Sequence, residues 1–112
     1  MTVTAKALFE PLQAANAETS QYITPVGTRT IVDKFTGTNT TALPATLTVK
    51  LVASGGAAGV DNTIVSAKTL AAGEAYTFPE VVGHVLNPGD FISTLAGTAA
   101  AITIRASGRE VS

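Results

Sequence analysis

A five-residue pattern, Leu-x-x-Gly-acid, occurs twice, as Leu70-Ala71-Ala72-Gly73-Glu74 and as Leu86-Asn87-Pro88-Gly89-Asp90. In the second copy Pro88 presets φ at about −65° and Gly89 accepts positive φ without steric cost, so Asn87 to Asp90 reads as a type II turn closed by Asp90. Each copy lies between runs of β-branched or aromatic residues. Two corners of one design, each joining extended segments, predict an antiparallel all-β chain.

The runs between the turns carry the period of strands. Ala45 to Ala53 alternates most cleanly, with Leu47, Val49 and Leu51 on one face and Thr46, Thr48 and Lys50 on the other, as expected of a half-buried antiparallel strand. Ala101 to Ala106 repeats the pattern, with Ile102 and Ile104 inward and Thr103 and Arg105 outward. Thr28 to Thr36 has strand composition but imperfect alternation, since Ile31, Asp33 and Phe35 share a parity. Asp33 must then lie near an edge or find a partner. Further strands are expected at Thr63–Ala67, Ala75–Phe78, Val81–Leu86 and Phe91–Leu95, and the tail from Ser107 stays extended, with Gly108 suited to a bulge. Thr24-Pro25-Val26-Gly27, Gly37 to Pro44 and Ser54 to Asn62 read as turns or loops. Seven to eight short strands punctuated in this way argue for a β-sandwich, a jelly roll or a small barrel.

Residues 1–20 are the least patterned. Glu10-Pro11 breaks any helix begun at Lys6-Ala7-Leu8-Phe9, and Leu12 to Ala17 is too short to be helical alone, so this segment reads as an extended N-terminal arm with one short strand. Residues 21–112 then form a single β-sandwich domain, as suits a chain of 112 residues. Its core is expected to be lean. Aromatics make up 5% of the chain, there is no Trp, and much of the apolar content is Ala, which contributes little burial per residue. Association with copies of itself would then add stability by mass action.

Composition also excludes function classes. A net charge of −1 with 13% charged residues supplies no basic field for nucleic acid. No apolar run reaches the length of a membrane span, and the first residues have no apolar stretch of the kind that opens a secretory signal. Without Cys there is no disulfide framework. His84 is the one side chain that titrates near neutrality unperturbed, and it has neither a Cys nor a second His for a metal or nucleophile pair. It is expected on a strand, packing or hydrogen-bonding locally. The Gly55–Gly59 loop lacks the Lys-Ser/Thr ending of a phosphate loop, and Asp33, Asp61 and Asn62 lack calcium-loop spacing. Glu74 and Asp90 are matched by turn position, which turn chemistry explains without a catalytic dyad. No catalytic, cofactor-binding or metal-binding residues are assigned.

The run Tyr22-Ile23-Thr24-Pro25-Val26-Gly27-Thr28-Arg29-Thr30-Ile31-Val32-Asp33-Lys34-Phe35, followed by Thr38-Asn39-Thr40, resembles small virion proteins of tailed bacteriophages. Leu70-Ala71-Ala72-Gly73-Glu74, Val82-Gly83-His84-Val85-Leu86, Pro88-Gly89-Asp90-Phe91-Ile92 and Ser107-Gly108-Arg109-Glu110 are similar to the same family. The resemblance implies a non-enzymatic, jelly-roll-like β-sandwich subunit of the virion, assembled in the host cytoplasm and present in many copies. A capsid-decoration role is expected, through a homo-oligomer, most simply a trimer, that binds the major capsid protein or other virion proteins. The alternative is a tail-fibre or receptor-binding module whose loops at Gly37–Pro44 and Ser54–Asn62 recognise the host surface. The resemblance carries over no functional residue, because the matching positions are turn and strand formers.

Overall fold

The computed structural model describes all residues from Met1 to Ser112 and shows two antiparallel sheets packed face to face. The strands are β1 (Val3–Gln13), β2 (Thr19–Ile23), β3 (Arg29–Asn39), β4 (Ala45–Val52), β5 (Thr63–Leu70), β6 (Ala75–Tyr76), β7 (Val85–Leu86), β8 (Phe91–Ala96) and β9 (Ile102–Val111). One sheet runs β1-β9-β3, with β6 and β7 both on the far edge of β3. The other runs β2-β8-β4-β5. The expected all-β sandwich is therefore present. First pairs with last, second with next to last, and the chain folds back on itself between β4 and β5.

The N-terminal segment departs from the expected arm. β1 is an eleven-residue strand that runs along β9 from Val3↔Val111 to Gln13↔Thr103 and buries Leu8 and Phe9. Its alternation was hidden in the sequence because its pairing shifts register between Ala7 and Phe9 and again between Phe9 and Leu12, around Pro11. A Pro costs a strand nothing at an edge, where its missing N–H is not needed.

A second bulge explains the broken alternation of β3. Val32 faces Gly108 and Lys34 faces Ser107, so Asp33 is an extra residue on β3. Thr30 and Val32 point inward before it, while Phe35, Gly37 and Asn39 point inward after it, all of them buried. Ile31 therefore faces out and not with Phe35. The bulge falls on β3, and Gly108 is the opposing residue that makes room: a Cβ there would lie 2.2 Å from the Ile31 carbonyl oxygen. Asp33 finds its partner across the bulge in Arg109, with Nε and Nη2 donating to the carboxylate at 3.0–3.2 Å.

A line of aromatic rings crosses the core. Phe9 and Phe35 lie on either side of Ala106, to which both are paired, and meet edge to face at 5.9 Å. Phe35 then packs on Phe78 at 5.2 Å, and Phe78 on Tyr76 at 4.8 Å, each edge to face. The small side chain of Ala106 lets the flanking rings touch, which adds roughly 0.5–1.5 kcal/mol per pair beyond area burial. Phe78 is not on a strand, contrary to expectation. The chain leaves the sheet after Tyr76, Phe78 turns inward at a φ of +43° to become fully buried, and Gly37 leaves the space its ring occupies. The excursion rejoins β3 where Gly83 N–H donates to the Val32 carbonyl and Val32 N–H donates to that of His84.

Candidate interaction surface

Both repeated corners form, and they share one hydrogen-bond scheme. Glu74 N–H donates to the Ala71 carbonyl while its own carboxylate accepts from Ala71 N–H at 2.7 Å. Asp90 N–H likewise donates to the Asn87 carbonyl while its carboxylate accepts from Asn87 N–H at 2.9 Å. Gly73 and Gly89 hold φ at +74° and +85°. The second Asp90 oxygen accepts from Ser54 N–H, tying this corner to the loop after β4. The topology puts the first corner at the end of the sandwich where β3 finishes and the second at the end where β3 begins. Glu74 and Asp90 are thus far apart, each fixing its own turn.

The remaining polar candidates are also separate. His84 sits in the turn before β7, not on a strand, with its side chain exposed and its backbone bound to Val32. Asn62 closes the one-turn 3-10 helix at Val60–Asn62, accepting from Gly59 N–H and donating to the Ala57 carbonyl. Nowhere do three His, Cys, Asp or Glu side chains converge. The loop expected at Gly37 to Pro44 starts later, because Gly37 to Asn39 complete β3. Its remainder is held by Asn39, and it stands at the opposite end of the sandwich from Ser54–Asn62.

What the fold assembles instead is a graded outer face on the β1-β9-β3 sheet. Pairing places Val3, Val111 and Arg29 in one outward row, and Ala5, Arg109, Ile31 and Val85 in the next. Val3 and Val85 keep 54% and 53% of their surface exposed, and Met1 is wholly exposed beside them. Here a shallow cavity of about 700 Å³ opens between Met1, Ile31, Val85, Pro88 and Val111, with Arg29 at its rim. Exposed aliphatic side chains gathered at one end of a sheet mark a contact surface more specifically than isolated ones do. Sequence periodicity missed this patch, because the bulge at Asp33 moved Ile31 outward and the pairing of β7 brought Val85 beside it.

A polar tie behind the patch fixes its position. Tyr22 on β2 crosses between the sheets, its hydroxyl lying 2.7 Å from Thr30 Oγ1 and donating to Glu110 Oε2 at 2.5 Å. Lys6 Nζ approaches the same carboxylate at 3.5 Å. Burial, and then the acceptor bond to the Glu110 carboxylate, push the Tyr22 hydroxyl up to about 12. On the opposite sheet Glu18 accepts from Ser93 Oγ and pairs with Lys50. Burial alone would raise its carboxyl, but these two donors hold it below the usual range.

Comparisons with protein families, with curated proteins and with solved structures returned no match.

Proposed function

We propose that this chain is a structural protein of a tailed-bacteriophage virion, a capsid-decoration subunit that acts without catalysis. It self-associates, most simply as a trimer, and docks on the major capsid protein. The observation that carries the reading is the aliphatic patch of exposed Met1, Val3 and Val85 with half-buried Ile31 and Val111, on a chain whose charged groups are sparse. Burying such a patch stabilises an assembly by roughly 25 cal/mol per Å² of apolar area removed from water. The strand order gives further support, because pairing first with last and second with next to last is compatible with jelly-roll-like winding, an architecture used by viral capsid domains among others. The alternative, a receptor-binding module, would draw on the loops at Gly37–Pro44 and Ser54–Asn62, whose placement at opposite ends argues against a joint recognition surface.

Two measurements test the proposal. Light scattering of the purified protein is expected to give a closed oligomer, and a stable monomer at high concentration would remove self-association. Electron cryomicroscopy of intact particles is expected to place the chain on the head. Density confined to the tail tip would transfer it to the receptor-binding class.

A further inference from the structure

Along the same outer face, beyond the Asp33–Arg109 pair, lies a second groove of about 370 Å³ whose lining has a different chemistry. It is floored by β3 and β9, with Pro11 of β1 at one wall. Lys34 stands opposite Ser107 and Thr36 opposite Arg105, so two cations occupy one diagonal of a four-residue square and two hydroxyls the other. Diagonal neighbours on a sheet lie about 7–8 Å apart, within reach of long side chains. Thr38 and Thr103 extend the hydroxyl floor by one more pair.

The ion-pair inventory sets Lys34 and Arg105 apart. Lys6, Lys50 and Arg109 each pair with a carboxylate, Lys68 lies over the Tyr76 ring, and Arg29 donates to Asn87. Lys34 and Arg105 have no such partner, and both line this groove. We infer that the groove is a docking site for an extended acidic polypeptide segment, whose carboxylates are gripped by the Arg105 guanidinium and the Lys34 ammonium while Thr36 and Ser107 donate from the floor. A guanidinium presents a planar fork that matches a carboxylate in bidentate fashion, and an ammonium adds an adaptable point charge. Two cations are too few to hold a nucleic-acid backbone on a chain of net charge −1. No aromatic ring lines the groove to stack on a sugar, which sets an acidic glycan behind an acidic peptide. This inference extends the docking surface of the proposed function by a polar half, and the two fail separately. A chain absent from the capsid would leave the titration below untouched.

The test is a two-dimensional NMR titration of the labelled protein with a terminally blocked hexapeptide alternating threonine and glutamate. Saturable shifts are expected at the amides of Lys34, Thr36, Thr103, Arg105 and Ser107. They are expected to vanish when glutamine replaces glutamate in the peptide, and to need at least tenfold more peptide in the double variant Lys34→Gln, Arg105→Gln. Both side chains are exposed, so the variant is expected to melt with the wild type. Should it not, the charge-reversed pair Lys34→Glu, Arg105→Glu is expected to bind the matching lysine peptide. The inference is overturned by absence of saturation into the millimolar range, by equal shifts with the glutamine peptide, or by failure of both variants to alter binding. Shifts at these amides from N-acetylneuraminic acid at lower concentration than from the peptide would overturn the assignment to a polypeptide.

Discussion

At Asn39 a single carboxamide, wholly excluded from water, makes four hydrogen bonds. Its Nδ2 donates to the carbonyls of Leu43 and Leu70, and its Oδ1 accepts from the backbone and the hydroxyl of Thr41. It therefore shapes the β3–β4 connection and clamps it to the end of β5. Asn39→Ala would strand buried donors and acceptors, and a loss of about 2–3 kcal/mol in urea denaturation is expected. Gly108 makes the complementary point about space. The atom it must avoid is the Ile31 carbonyl oxygen of a bulged strand, which cannot rotate away as a side chain can. Gly108→Ala is therefore expected to lower stability by about 1–3 kcal/mol, the usual range for overpacking. Gly89→Val is expected to cost on the order of 1–3 kcal/mol, since it forces a β-branched residue to positive φ. An unchanged melting curve for either variant would contradict the local geometry described.

Ladders within each sheet carry most of the hydrogen bonds in this fold, and a few polar ties cross from one sheet to the other. Tyr22 links β2 to β3 and β9 through Thr30 and Glu110. Because the folded state holds the Tyr22 proton to about 12 whereas an unfolded tyrosine releases it near 10, the native chain binds more protons across that interval. The stabilisation is complete below pH 10 and is lost as pH rises toward 12. Tyr22→Phe is expected to be less stable at neutral pH and to show a shallower decline in alkali. Part of the decline would remain, since hydrogen bonding to Glu80 raises Tyr76 in the same direction. Equal alkaline slopes for the two proteins would mean that Tyr22 titrates as it does in the unfolded chain. The two corners were legible at this scale because their chemistry is local: turn, glycine and capping acid lie within five residues. β6 and β7 were less so. Each is two residues long and exists because β3 offers an unpaired edge, a property of β3's neighbours and not of the segments themselves.

At the scale of the molecule, one outer face combines an aliphatic end, an ion pair and a cationic, hydroxyl-lined groove. The opposite sheet has its outer side partly covered: Val52 is buried, the chain turns directly after it at Ala53–Gly56, and Glu18 bridges Ser93 and Lys50. Self-association through the aliphatic end makes a direct prediction. Val85→Asp leaves the core untouched, as Val85 is exposed in the subunit, and it is expected to shift light scattering from oligomer to monomer while the circular dichroism spectrum keeps its strand character. An oligomer that survives this substitution together with Ile31→Asp would exclude the patch as the contact.

The chain's own residues determined the class of fold, through alternating aliphatic and threonine runs and the twice-used corner, because strand period and turn chemistry act over a few residues. They also determined the low charge and the lack of paired titratable groups in any motif. Tertiary structure decided what periodicity could not. Register shifts at Asp33, Ala7–Phe9 and Phe9–Leu12 reassigned which side chains face water, and β1 became a full strand because β9 was there to receive it. A bulge inverts the inward and outward parity of everything beyond it, and whether one forms depends on a partner strand distant in sequence. For that reason the outer face with its two grooves, the surface on which the proposed function rests, became visible only when the strands were paired.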